Sequence, residues 1–237
     1  MILRRVIDHF RKQEWTAIAI DFLIVVIGVF IGIQVSNLNA ERAARVEEAR
    51  IIDRLHTEFV DLREQTKPRI ARIETYARRT GKLIDHIRSG VPPATDSEMR
   101  TYLDAVWSNS GLPPAPASYL ELINSGSIAR LSDPELRAAL TRYAQRNEVA
   151  ATSWNTMFPL FNDPRSVFHE AVRFSTDFDA YVSAEPEAII ESYDWEKLKQ
   201  GGAEFENIQA AQWQQYYFAN NLLDAIDGVV RQLEKRR

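Results

Sequence analysis

Apolar residues run almost without interruption from Trp15 to Val35, in the stretch WTAIAIDFLIVVIGVFIGIQV, where only Thr16, Asp21 and Gln34 are polar. At about 1.5 Å per residue this stretch is roughly 31 Å long as a helix, which matches the hydrocarbon core of a bilayer. Trp15 stands at one boundary, where an amphipathic ring prefers the headgroup level. A cleaved secretory signal has a shorter apolar region, about 7–15 residues, closed by small residues at the cleavage site. Here the run is longer, and neither Gln34-Val35-Ser36 nor Leu38-Asn39-Ala40 offers that pattern. The pattern predicts an uncleaved transmembrane helix over residues 15–35.

On the N-terminal side, Ile2, Leu3, Val6, Ile7 and Phe10 fall on one helical face, and Arg4, Arg5, Asp8, Arg11 and Lys12 on the other. Residues 1–14 therefore predict a basic amphipathic segment lying in the membrane interface. On the other side, Ser36-Asn37-Leu38-Asn39 forms a polar hinge. Beyond it Ile52, Leu55, Phe59 and Leu62 recur at 3-4-3 spacing, the seam of an amphipathic or coiled-coil helix. Pro68 is expected to kink or divide that helix. Ile70, Ile73, Ala77, Ile84 and Ile87 carry the pattern on to Ser89-Gly90, which stops it ahead of Pro92-Pro93. Residues 36–89 are thus expected to form a helical stalk and the first bundle helices.

The remainder, residues 90–237, reads as a helical bundle body. Thr95/Glu98, Ser118/Glu121 and Ser132/Glu135 have capping-box spacing, so helices are expected to start at each. Gly111-Leu112-Pro113-Pro114-Ala115-Pro116 is a stiff loop, and Gly126 suits a helix C-terminus. Leu136, Leu140, Tyr143, Asn147, Trp154 and Phe158 trace one face of a long helix, and Asp163-Pro164 opens another through Val167, Phe168 and Val172. Residues 176–202 are irregular, with a short helix near Pro186–Tyr193. A last helix, from about Ala203 to Lys235, carries the stripe Phe205, Ile208, Gln212, Tyr216, Leu223, Ile226, Val230 and Leu233. No alternating strand pattern stands out. The expected class is all-α: one transmembrane helix continuing into a stalk and a bundle.

Two segments carry a resemblance. VVIGVFIGIQVSNLNAER, preceded by the acid in AIDF, resembles the N-terminus of a family of uncharacterised single-span bacterial membrane proteins, with an acidic residue, an Ile-Gly-rich span and an Asn-rich exit. SYLELINSGSIARLSDPELRAALTRYAQ is similar to that family's body motif, with Ala144 where a second aromatic is usual. The resemblance implies the anchored helical architecture and brings no activity with it.

Composition narrows the function classes. The 237 residues include no cysteine, which excludes a disulfide framework, a thiolate nucleophile and cysteine metal ligands. Net charge is −4. Arg4, Arg5, Arg11 and Lys12 against Asp8 and Glu14 make the N-terminal segment net basic, so the rest is acidic, which argues against nucleic acid as a partner. Basic residues cluster ahead of the span more tightly than Arg42, Arg45 and Arg50 do behind it. This favours a cytoplasmic N-terminus and a periplasmic body in a bacterial inner membrane.

Chemistry-bearing residues are sparse. Asp21 is an acid at membrane depth, costly unless protonated, hydrated or paired. With Val25, Gly28 and Gly32 it follows 4-3-4 spacing, one stripe on which the glycines allow close backbone approach. The stripe predicts a helix-packing or partner contact. His9, His56, His86 and His169 have no mutual ligand spacing, and Asp177 and Asp179 lack a third ligand. Candidate serines lie in no nucleophile elbow, and no glycine loop cradles phosphate. No catalytic, cofactor or metal residue is therefore assigned, and a non-enzyme is expected. The leading reading is an anchored interaction or scaffold subunit that meets membrane lipid and binds a membrane protein complex or copies of itself. Two others stay open: a small-ligand sensor body walled by the many aromatics, and an ion-coupled subunit using Asp21.

Overall fold

The computed structural model describes residues 14–236, with side-chain surroundings from Ala19 onward. The expected interfacial segment, with Ile2 to Phe10, lies outside the described residues. The chain divides at Ile52/Asp53 into two compact units. Its first helix, α1, is Glu14–Ser89 and contributes to both. Pro68 does not end it. Pro68 and Glu64, whose carbonyl loses its i→i−4 partner, are both exposed, so water can take that bond's place.

In the first unit the described chain is α1 alone. Between Ile20 and Leu38 its large apolar side chains face outward, Phe22 at 70% and Val25 at 62% exposure. Arg45–Glu41 and Arg50–Glu47 follow as exposed ion pairs one helical turn apart.

In the second unit α1 ends at Gly90, whose positive φ of 72° suits a residue without Cβ. Next come α2 (Asp96–Trp107), α3 (Ala117–Asn124), a 3-10 turn (Ser127–Arg130) and α4 (Pro134–Phe161). A mixed segment then holds α5 (Val167–Ala171), β1 (Val172–Phe174), α6 (Phe178–Ser183), α7 (Pro186–Ile189), β2 (Ile190–Tyr193) and α8 (Trp195–Leu198). A second 3-10 turn, Lys199–Gly201, leads into α9 (Gly202–Glu234). The all-α expectation stands for the architecture, with one correction: β1 and β2 pair antiparallel, Val172 with Tyr193 and Phe174 with Ile190, around a bulge. Strands this short give no period-2 signal. Tertiary contacts define them, since Arg100 of α2 reaches the carbonyls of Glu187 and Glu191, and Tyr193 donates to Asp96.

Three long helices make the frame. α9 runs antiparallel to α1, as shown by Arg63 with Asp227, Gln209 with the Ala77 carbonyl and Arg88 with Glu206. It also runs antiparallel to α4, with Arg236 on Asp133 at the base and the faces continuing towards Met157. The main core fills the end where Leu83 and Ile84 of α1 meet Met99 and Leu103 of α2, Phe161 of α4, Phe168 of α5 and Phe205 of α9. A smaller cluster joins Ile70 and Ile73 to Ala219. The buried stripe of α9 is Phe205, Ile208, Ala211, Gln212, Gln215, Ala219, Leu222, Ile226, Val229, Val230 and Leu233. Tyr216 and Leu223, expected within that stripe, are only partly buried.

Capping departs from the expected boxes at two of three sites. Thr95 accepts from the Glu98 N–H as expected. α4 begins one residue later than Ser132/Glu135 suggests: Asp133 is the N-cap and accepts from the Glu135 and Leu136 N–H groups. α3 has no local side-chain cap, and its N-cap is Pro116. Ser118 lies inside the helix and donates to Glu58 of α1.

Candidate functional site

Two regions draw together residues singled out in the sequence. The first is the apolar part of α1. Asp21, Val25, Gly28 and Gly32 lie on one helix, within an arc of about 60° at 100° per residue. A Cβ added at Gly28 or Gly32 meets nothing within 4 Å, so the backbone there is open to an approaching surface. From Ala19 on, α1 is long and apolar enough to cross a membrane, and its apolar part is not buried among the described residues.

Most of the expected amphipathic seam packs inside the body. Leu55, Phe59 and Leu62 are buried within the second unit, Leu55 and Phe59 completely, while Ile52 is half-exposed. The Phe59 ring packs edge-on against Tyr143 at 4.9 Å and Tyr119 at 6.3 Å, and the two tyrosines meet at 5.0 Å. Burial, with a smaller contribution from Tyr119, pushes the Tyr143 hydroxyl far above its ordinary value, so it stays neutral. The heptad-like spacing is that of a helix packed in its own bundle. The chain supplies the partner that a coiled coil would take from another copy.

The second region is a cleft between α4, α9 and the 111–115 loop, with a volume of about 270 Å³. Trp154 and Phe218 are its aromatic lining residues, and Asn147, Ser153, Asn155 and Gln215 its polar ones. Asn147 and Trp154, placed by spacing on one stripe of α4, indeed line the same hollow, whereas Phe158 of that stripe is 44% exposed. A wider groove of about 780 Å³ runs on along Val149, Met157 and Leu160, sharing Ser153 and Phe218 with the cleft.

The loop that walls the cleft is held from both sides. Arg69 of α1 donates to the Gly111 carbonyl at 2.8 Å, and Gln215 of α9 donates to the Ser110 carbonyl at 3.3 Å. Gln215 is the third of three glutamines on α9 with the same task. Gln209 donates to the Ala77 carbonyl at 3.1 Å, and Gln212 to Ala105 at 2.8 Å, in the open last turn of α2. Spacing placed Gln212 on the core stripe without revealing its role. A glutamine at a core position was the available signal, because a buried amide needs partners. Near that turn, burial raises the Asp104 carboxyl above its ordinary value, although the Ser108 hydroxyl donates to it.

Other singled-out residues serve local structure. Asp177 caps α6 by accepting from the Asp179 N–H. His86 contacts the Val91 carbonyl and stacks on Tyr102, and His169 contacts the Ser166 hydroxyl. Among the described residues no three His, Asp or Glu side chains converge as metal ligands would. No family model, no curated protein and no solved structure matches the chain.

Proposed function

We propose that the chain is a membrane-anchored interaction subunit. The apolar part of α1 sits in the bilayer, and the helical body works without catalysis, docking on a membrane protein complex or on a second copy. One observation carries this reading: the side chains from Ile20 to Leu38 form a continuous apolar surface that nothing among the described residues covers. Soluble monomers rarely expose contiguous apolar patches beyond a few hundred Å², so lipid or protein must cover this one. The Asp21–Gly32 stripe supports a helix contact within the bilayer, since small residues permit close approach and an acid gains from a polar partner there. The cluster of basic residues before the span supports a bacterial inner-membrane protein with its N-terminus inside and its body in the periplasm.

Single cysteines test the contact in a chain that has none of its own. Val25→Cys is expected to crosslink, to itself or to a co-purifying partner, more efficiently than Phe22→Cys, which faces about 60° from Val25 and about 90° from the middle of the stripe. Replacing Gly28 and Gly32 by leucine is expected to abolish the Val25 product, because loss of close packing in lipid costs about 1–2 kcal/mol per contact. Extraction of the chain by alkaline carbonate would overturn the anchor. Equal crosslinking at both positions, or none at either, would overturn the stripe.

A further inference from the structure

We infer that the cleft beside Trp154 is a binding site for a small, uncharged, planar molecule with hydrogen-bonding groups on one edge. This inference is independent of membrane anchoring, because every lining residue belongs to the second unit. At about 270 Å³ the cleft falls just below the range that drug-sized ligands fill, about 300–1,000 Å³, so it suits one ring or two fused rings. None of its lining residues is charged. An anion or cation would shed hydration there without meeting an opposite charge. Trp154 and Phe218 bring aromatic surface to the lining, against which a flat ring can pack.

The edge specificity comes from amides. The side chains of Asn147 and Asn155 line the cleft and make no hydrogen bond to another described residue. Each brings both donors and an acceptor, the complement of a carboxamide, lactam or hydroxyl edge. The cleft is also formed in advance. Pro113 and Pro114 stiffen the loop, and the Arg69 and Gln215 hydrogen bonds fix it to two different helices, so little ordering remains for the ligand to impose.

Benzamide, added to the full chain in lipid nanodiscs and followed by ligand-observed NMR, is the direct probe. Saturable binding in the millimolar range is expected for so small a molecule, with benzoate, the same shape bearing a charge, roughly tenfold weaker or more. Ala151→Trp, at an exposed helix position on the cleft, is expected to remove the benzamide signal. Val149→Trp, which fills the neighbouring groove instead, is expected to leave it intact. Asn147→Leu and Asn155→Leu should weaken binding at an unchanged melting temperature, and they carry the test if Ala151→Trp destabilises the body. Benzamide that fails to saturate, benzoate that binds as well, or a signal lost with Val149→Trp and kept with Ala151→Trp would overturn the assignment.

Discussion

The carboxylate of Glu58 accepts two hydrogen bonds from Ser118, one from its backbone N–H at 2.9 Å and one from its hydroxyl at 2.8 Å. Ser118 is the second residue of α3, where helix N–H groups have no intrahelical acceptor, and Pro116 at the N-cap offers no side-chain oxygen. Glu58 thus caps α3 from another helix, and its negative charge suits the positive end of the α3 dipole. Arg54 reaches Glu121 one turn along both helices, at 3.4 Å.

Glu58→Gln and Ser118→Ala are each expected to destabilise the body by about 1–2 kcal/mol, the range for helix caps and hydrogen bonds to charged groups. The double variant should cost clearly less than the two added together, because both act on the same hydrogen bond between the Ser118 hydroxyl and Glu58. Chemical denaturation of the three variants checks this, and simple additivity would mean that the contact contributes nothing of its own.

Phe59→Ala is expected to cost about 3–5 kcal/mol, since it empties a fully buried site between Tyr119 and Tyr143. Leu55→Cys should form no intermolecular disulfide in membranes while the body is folded, as Leu55 is fully buried. Ready crosslinking at Leu55 would restore the coiled-coil seam.

The pair Asp133–Arg236 joins the start of α4 to the end of α9 at 2.8 Å. Burial alone would raise the Asp133 carboxyl, but Arg236 and the Glu135 and Leu136 N–H groups outweigh it and hold the acid below its ordinary value of 3.8. Its stabilising effect is therefore fully present above that value and is lost as pH falls through the lower folded-state value. Asp133→Asn should be less stable than the natural chain at pH 7, and the gap should close on acidification below about 3.8. Thermal melts of both proteins across that range check the sign. Asp133→Ala, which also loses the cap, should cost about 1 kcal/mol at neutral pH.

Gly201 and Gly28 should respond differently to alanine. A Cβ at Gly201 would sit 2.9 Å from the Phe205 ring and 3.1 Å from Val167, inside the packed core. Overpacking of this kind costs about 1–3 kcal/mol. Gly28 has open space around it, so Gly28→Ala should leave the body's melting temperature unchanged. A body destabilised by Gly28→Ala would place that glycine in an intramolecular contact.

The helical class, the apolar run from Trp15 to Val35 and the stop at Gly90 could be read from the chain, because each rests on local properties: hydropathy over one segment, 3.6-residue periodicity and the freedom of glycine at positive φ. The 4-3-4 stripe of Asp21, Val25, Gly28 and Gly32 was legible for the same reason. What covers a stripe is not local. Leu55, Phe59 and Leu62 have the spacing of a seam whether a second copy or Tyr119 and Tyr143 fill it, and only tertiary packing chose the latter. Caps behaved alike: Thr95 was found by its own neighbour, whereas Glu58 acts on Ser118 across sixty residues of chain. The β1–β2 pair has no local signature, because each three- or four-residue strand finds its hydrogen-bond partner in the other and its support from Arg100 in α2. The cleft beside Trp154 was equally hidden, since Asn147 and Trp154 share a helix face in the sequence, but the loop and the Gln215 side chain that close it arrive from elsewhere in the fold.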